Sequence, residues 1–177
     1  MNSDENYPIE YESTLLLKNE REVFIRPIMQ TDDQLVIDLF NKLSRHSIYL
    51  RFLRYLNALP VDMLHRFTHI DYNSDSALVG VIKEDDREAI IAVARYLGAT
   101  EDNITELAIV IRDDWQHLGL GKALLKRIVD IGREHGICRY TGMLDPENNL
   151  IRQILMELGY KVNYDLKSGM YQVEIIA

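Results

Sequence analysis

A chain of 177 residues with a formal net charge of −8 and a single cysteine has the length of one domain and cannot close an internal disulfide. The acidic balance argues against a general nucleic-acid binder, which needs a basic face. The apolar runs are of strand length, too short to cross a membrane as a helix. The acidic start, Met1-Asn-Ser-Asp-Glu-Asn-Tyr-Pro8, has no apolar signal core, and with the lone Cys138 it reads as a cytoplasmic protein.

In chain order, residues 1–12 are polar and read as a flexible extension, leaving residues 13–177 as a single domain. Residues 13–17 and 22–28 are strand candidates joined by a polar turn, with Pro27 limiting the second strand's pairing. Thr31-Asp-Asp-Gln34 matches a capping box with Thr31 as N-cap, ahead of a helix carrying Leu35, Val36, Leu39, Phe40 and Leu43 on one face. Residues 44–56 predict a second helix, rich in aromatic and basic side chains, and Pro60 opens a third through about Phe67. Residues 76–83, 89–97 and 104–111 form a three-strand meander, with turns at 84–88 and 100–103. Residues 120–135 make an amphipathic helix on Leu124, Ile128 and Ile131, closed by Gly136. Residues 138–144 form a strand and 148–158 a helix. Residues 160–166 and 170–176 pair as a hairpin through Ser168-Gly169. The order fits an α+β fold in three layers: a central, mostly antiparallel mixed sheet of about six to eight strands, with helices on both faces.

The richest stretch runs from Glu106 to Leu125, where an apolar strand turns through Gln116-His-Leu-Gly119-Leu-Gly121-Lys122 into a helix. It fails the dinucleotide pattern, because Leu124 stands where the third glycine belongs. It fails a Walker A loop, because Ala123 follows Gly121-Lys122. What remains is Gln-x-x-Gly-x-Gly at a helix N-terminus, which is either a tight strand-to-helix turn or a phosphate cradle built from backbone N–H groups. Asn148 opens the last helix, and Gly159-Tyr160 closes it.

Together these residues resemble the GNAT (Gcn5-related N-acetyltransferase) superfamily. Gln116, Gly119 and Gly121 match its pyrophosphate-binding motif, and Asn148, Gly159 and Tyr160 match its later segment. Arg26-Pro-Ile28, Arg51-Phe52, Ile70-Asp-Tyr72, Glu106-Leu-Ala-Ile-Val110 and Arg112-Asp-Asp-Trp-Gln116 look most like the acetyltransferase domain of bacterial protein lysine acetyltransferases.

The resemblance implies acetyl-CoA as co-substrate, no metal, and an amine acceptor, either a protein lysine or a small molecule. It assigns the pyrophosphate to the backbone at Gln116, His117, Leu118, Gly119, Leu120, Gly121 and Lys122. It assigns the pantetheine arm to the backbone of Ile109, Val110 and Ile111, on a strand that splays from its neighbour. Asn148 either hydrogen-bonds that arm or serves as a plain N-cap. Lys122, Arg127 and Arg152 are basic candidates near the cradle.

Glu106 is the candidate general base. A lysine amine, with a pKa of ~10.4, must lose a proton before it can attack a thioester. Alternation places Glu106 with Ala108 and Val110 on one face, where apolar neighbours would raise its pKa. The other reading of Glu106 is a strand-edge carboxylate reaching solvent. The position where many GNAT enzymes carry a proton-donating tyrosine is Leu155. Tyr160 or a water would then serve, or a thiolate of pKa ~8.5 would leave unaided. A non-catalytic acetyl-CoA sensor is the rival from another class. The expected partners are acetyl-CoA and the acceptor, with no nucleic acid and no membrane. Oligomeric state stays open, a homodimer through the final hairpin included.

Overall fold

The computed structural model describes residues 6–98 and 105–177. The turn expected at residues 100–103, and Ile104, lie outside the described residues. Eight strands form one sheet in the order β1-β2-β3-β4-β5-β6-β8-β7. They are β1 (Ser13–Leu16), β2 (Glu22–Pro27), β3 (Ser76–Glu84), β4 (Arg87–Leu97), β5 (Thr105–Ile111), β6 (Arg139–Leu144), β7 (Lys161–Lys167) and β8 (Met170–Ile176). Five helices pack on it: α1 (Asp33–Lys42), α2 (Arg45–Phe52), α3 (Val61–Thr68), α4 (Leu120–Glu134) and α5 (Asn149–Glu157). This is the mixed, mostly antiparallel sheet with helices on both faces that the sequence predicts.

The central strand β3 is buried almost throughout, as expected of a strand covered on both faces. One face carries α4 and α5, whose Leu120, Leu124, Ile128 and Leu155 pack with Ile25, Ile91 and Val173. The other carries α1 and α3, whose Val36, Leu39 and Leu64 pack with Val79, Val81 and Ile90. The two-residue turns Asp85-Asp86 (φ 48° and 62°) and Ser168-Gly169 (φ 50° and 81°) have positive φ at both positions. That backbone matches the right-handed twist of the hairpins they join. Gly132 on α4 lies so close to Tyr140 that a Cβ there would stand 1.9 Å from the phenol oxygen.

Two local expectations need correction. Thr31 is not the N-cap of α1, because a 3-10 turn over Gln30–Asp32 precedes the helix and makes Asp32 the cap residue. The buried Asp32 carboxylate accepts from Arg26 at 2.7 and 2.8 Å and from the Met29 N–H at 2.8 Å, so a buried ion pair overrides the capping-box pattern. The second helix stops at Phe52 rather than residue 56, where Leu53 adopts a left-handed φ of 53° and donates to Tyr49 O at 2.6 Å. Upstream, Tyr7 donates to Glu12 at 2.8 Å and meets Tyr72 edge-on, and Tyr11 donates to Glu134 at 2.9 Å. Part of the segment read as an extension therefore lies against the domain.

The feature that makes a site is the junction of β5 and β6, the one parallel pair. It is registered only at Thr105↔Tyr140 and Glu106↔Thr141. Beyond Glu106, β5 stays paired with β4 as far as Ile111, while β6 follows β8 to Leu144. The strands diverge from there, and over residues 107–111 the side of β5 that faces away from β4 has no strand partner among the described residues.

Candidate active site

The turn after β5 is built to hold its shape without a ligand. The Arg112 N–H donates to Ile91 O at 2.8 Å, and its guanidinium reaches Glu84 at 2.5 and 3.0 Å and Asp114 at 2.7 and 2.9 Å. A 3-10 turn over Asp113–Trp115 follows, with Trp115 buried under the Arg21 guanidinium, 3.5 Å from the ring centroid. Asp113 caps α2 from a distance, accepting from Ser44 N and Oγ at 2.9 and 2.6 Å and from Ser47 Oγ at 2.8 Å. Burial alone would raise the Asp113 carboxyl, but these serine hydrogen bonds outweigh it and hold the carboxyl below its ordinary value.

His117 (φ 63°) and Gly119 (φ 91°) both take left-handed backbone, which turns the chain into α4. Gly121 needs no such conformation. Its missing Cβ matters because one would stand 2.9 Å from Ile111 Cδ1 and 3.4 Å from Ile154 Cδ1, so the helix start lies close on β5 and α5. The N–H groups of His117, Leu118, Gly119, Leu120, Gly121 and Lys122 have no acceptor among the described residues, as expected at a helix N-terminus. With about half a positive charge from the α4 dipole, they suit a pyrophosphate. Gln116 works through its side chain: its amide nitrogen donates to Ile111 O at 3.0 Å and to Ser47 Oγ at 3.3 Å, tying the end of β5 to the turn and to α2.

The cleft below this turn encloses about 650 Å³ and is lined by Ile109, Val110, Ile111, Gln116, His117, Gly119, Gly121, Lys122 and Asn148, among others. Leu118 and Leu120 instead turn their side chains into the core. Of the three basic candidates, only Lys122 lines the cleft, and it is paired with Glu157 at 3.0 Å. Arg152 lies over the rings of Tyr164 and Tyr171 on the final hairpin, and Arg127 is not among the residues lining the cleft. Lys18, from the β1–β2 turn, does line it and was not singled out from sequence, where it reads as an ordinary turn lysine. Lys18, Arg51 and Lys122 balance Asp113, Glu147 and Glu157 along its walls, so the global acidity is offset locally. Asn148 is the N-cap of α5, its Oδ1 accepting from Ile151 N at 3.4 Å, and it faces both this cleft and the next.

A second cavity of about 850 Å³ opens on the far side of Asn148, sharing Leu50, Arg51, Ile109 and Ile151 with the first. Glu106 lines it, at the apex where β5 leaves β6. The expectation that apolar neighbours bury Glu106 is not met. It is exposed, because the strands part next to it. Leu155 is 1% exposed and supplies no proton donor. Tyr160 lines neither cavity and lies under Arg133 instead. Among the described residues, no tyrosine lines either cavity. The described residues hold no group of three or more His, Cys, Asp or Glu arranged for a metal, and no helix long and apolar enough to cross a membrane.

The geometry has counterparts in known proteins. The model of the acetyltransferase (GNAT) family matches residues 45–160. An acetyltransferase of Pseudomonas aeruginosa is 28% identical over 144 residues, 81% of this chain and 77% of that protein. The crystal structure of the GNAT domain of S. lividans PAT superimposes with a TM-score of 0.86 at 28% identity, covering 97% of this chain and 99% of that one. A GNAT superfamily phosphinothricin acetyltransferase of Sinorhizobium meliloti, solved in complex with AcCoA, shares the fold at 17% identity, with a TM-score of 0.67 over 88% of this chain and 89% of that one.

Proposed function

Because this chain belongs to the acetyltransferase (GNAT) family, whose members use acetyl-CoA, we propose that it acetylates a primary amine where its two cavities meet, with Glu106 as general base. The observation that carries this reading is the continuity of the two cavities through Arg51, Ile109, Asn148 and Ile151. A helix N-terminus with unsatisfied N–H groups stands at one end and a carboxylate at the other. Between them runs the open β5 edge, where alternation turns the backbone N–H and C=O of Ile109 and the N–H of Ile111 toward the amide-bearing arm of acetyl-CoA, while Val110 pairs with Val93 of β4 and Ile111 O accepts from Gln116.

Acetyl-CoA supplies the acetyl thioester. The chain's residues do the rest by positioning and proton transfer. The cradle over residues 116–122 holds the pyrophosphate. Glu106 accepts a proton from the acceptor ammonium, directly or through a water, so that the neutral amine forms the N–C bond as the C–S bond breaks. With Leu155 in the tyrosine position, the thiolate leaves without a tyrosine donor, which a thiol pKa of ~8.5 allows.

A protein lysine is the acceptor this reading favours. Glu106 is exposed in an open cleft, within reach of a side chain presented by a larger partner. A small-molecule amine is the second reading, favoured by the arginines described below.

Thermal denaturation with acetyl-CoA tests the donor half, since a ligand at 100 times its dissociation constant adds ~2.7 kcal/mol. No shift would remove the basis for the whole reading. Thiol release from acetyl-CoA with lysine-bearing proteins and simple amines tests catalysis. A clear shift without turnover on any amine would support a sensor instead.

A further inference from the structure

Arg95 is an anomaly in this fold. It sits on β4 between Ala77 of β3 and Ala108 of β5, on the sheet face that carries α1 and α3. It is 2% exposed. Among the described residues its one side-chain hydrogen bond runs from a terminal nitrogen to Arg66 O at 3.2 Å, and its Nε and other terminal nitrogen have no partner. Its guanidinium lies 4.5 Å from the Phe67 ring centroid, and burial drags its pKa down to about 9.

Arg51 of α2 approaches the same ring, 5.7 Å from its centroid. It too makes no hydrogen bond and no ion pair within 4.0 Å among the described residues. The charges around the pair are Arg66, Asp75 and Glu106, and neither carboxylate reaches contact with either guanidinium. Both line a cavity of about 40 Å³ whose other walls are apolar, Phe52, Phe67, Val93 and Val110 among them. That is room for roughly three water-sized centres.

A buried cation without a counter-ion is costly, and a buried polar atom without a partner calls for an occupant. We propose that Arg51 and Arg95 form a binding subsite for a small monovalent anion of carboxylate or halide size, at the acceptor end of the cleft. Arginine's fixed fork suits a carboxylate. The diagonal neighbours Arg95 and Glu106 stand roughly 7–8 Å apart at Cα, and Arg51, Phe52 and Phe67 line both the cavity that holds Glu106 and the one that holds Arg95, so a molecule can place an amine on Glu106 and direct its own carboxylate to Arg51 and, past the phenylalanines, to Arg95. Its connection to catalysis rests on the function proposed above, whereas anion binding itself does not. The anion has two sources of one chemistry: a carboxylate on the acceptor, or a free ion such as chloride.

The test uses the full chain in sulfonate buffer at fixed ionic strength. Chloride and acetate are titrated against thermal stability, and turnover is compared for an ω-amino acid and the alkylamine of equal length. A saturable rise in melting temperature, reduced at least several-fold in Arg51→Gln and kept in Arg51→Lys, is expected. If the acceptor brings the anion, the ω-amino acid is preferred roughly tenfold and Arg51→Gln removes that preference, as expected for losing a hydrogen bond to a charged group. If a free ion fills the site, the chloride response appears without any acceptor preference. A wild-type protein that responds to neither anion and shows no preference overturns the subsite. An intact acetyl-CoA shift in that protein leaves the family function standing. The half-buried Arg51 is the primary variant, and Arg95→Met serves as the second because it removes the unpartnered charge itself.

Discussion

The two halves of the cleft are made of different materials. In the proposed reading the donor half rests on one contiguous stretch, β5 through the start of α4, acting mainly through backbone N–H and C=O groups, with Lys18, Asn148 and Glu157 completing its walls. The acceptor half gathers side chains from distant parts of the chain: Arg51 from α2, Arg66 and Phe67 from α3, Arg95 from β4 and Glu106 from β5. A backbone site constrains conformation and leaves most side chains free, so only Gly119, Gly121 and Gln116 mark it. A side-chain site constrains identity at positions that only the fold brings together.

That contrast can be broken by substitution. Gly119→Val forces a β-branched residue into φ 91°. It should cost about 2 kcal/mol of stability and abolish the acetyl-CoA thermal shift, because the strain acts on the amides that form the cradle. Gly132→Ala is the control outside both halves. Its Cβ would stand 1.9 Å from the Tyr140 oxygen, so it should lose about 1.5 kcal/mol by overpacking while keeping the acetyl-CoA shift. Adding Tyr140→Phe should recover part of the loss in the same denaturation experiment.

Glu84→Gln removes a support beneath the turn. Arg112 and then Lys42 hydrogen-bond the Glu84 carboxylate and hold its pKa near about 2, against 4.5 ordinarily. Its stabilisation is therefore full above pH 4.5 and is lost as pH falls through about 2. The variant should be weaker by about 1 kcal/mol at pH 7, and a pH series of melting curves should show the gap to wild type closing in that acidic window. Lys122→Gln breaks an exposed pair with Glu157 and should leave the melting curve nearly unchanged. A modest weakening of acetyl-CoA binding should accompany it, readable by calorimetry at low salt.

The glycine-bearing turn and its helix were legible in the sequence because their signal is local. Three residues within one turn, read with Asn148 and Gly159-Tyr160, were enough to expect the cradle, and the amphipathic spacing of α4 placed it at a helix start. The acceptor half was hidden for a physical reason. Arg95 sits in an apolar run as one polar residue among strand formers, and nothing nearby says that Phe67 and Arg51 will meet it. Lys18 reaches the cleft only because β1 and β2 fold against the β5–α4 turn. Thr31 misled because a capping pattern competed with Arg26, six residues upstream at the end of β2, which pairs with the buried Asp32. Glu106 was correctly placed on its strand, but its burial was misjudged because alternation says which face a residue shares, not where two strands part.

Glu106→Gln decides whether the backbone cradle and the carboxylate form one acetyl-transfer site, with acetyl-CoA binding and amine-dependent thiol release measured on the same protein. An unchanged acetyl-CoA thermal shift is expected together with a fall in kcat of ~10²–10⁴-fold, partly recovered at high pH where the amine deprotonates without help. A variant that turns over as fast as the wild type at neutral pH would contradict that assignment.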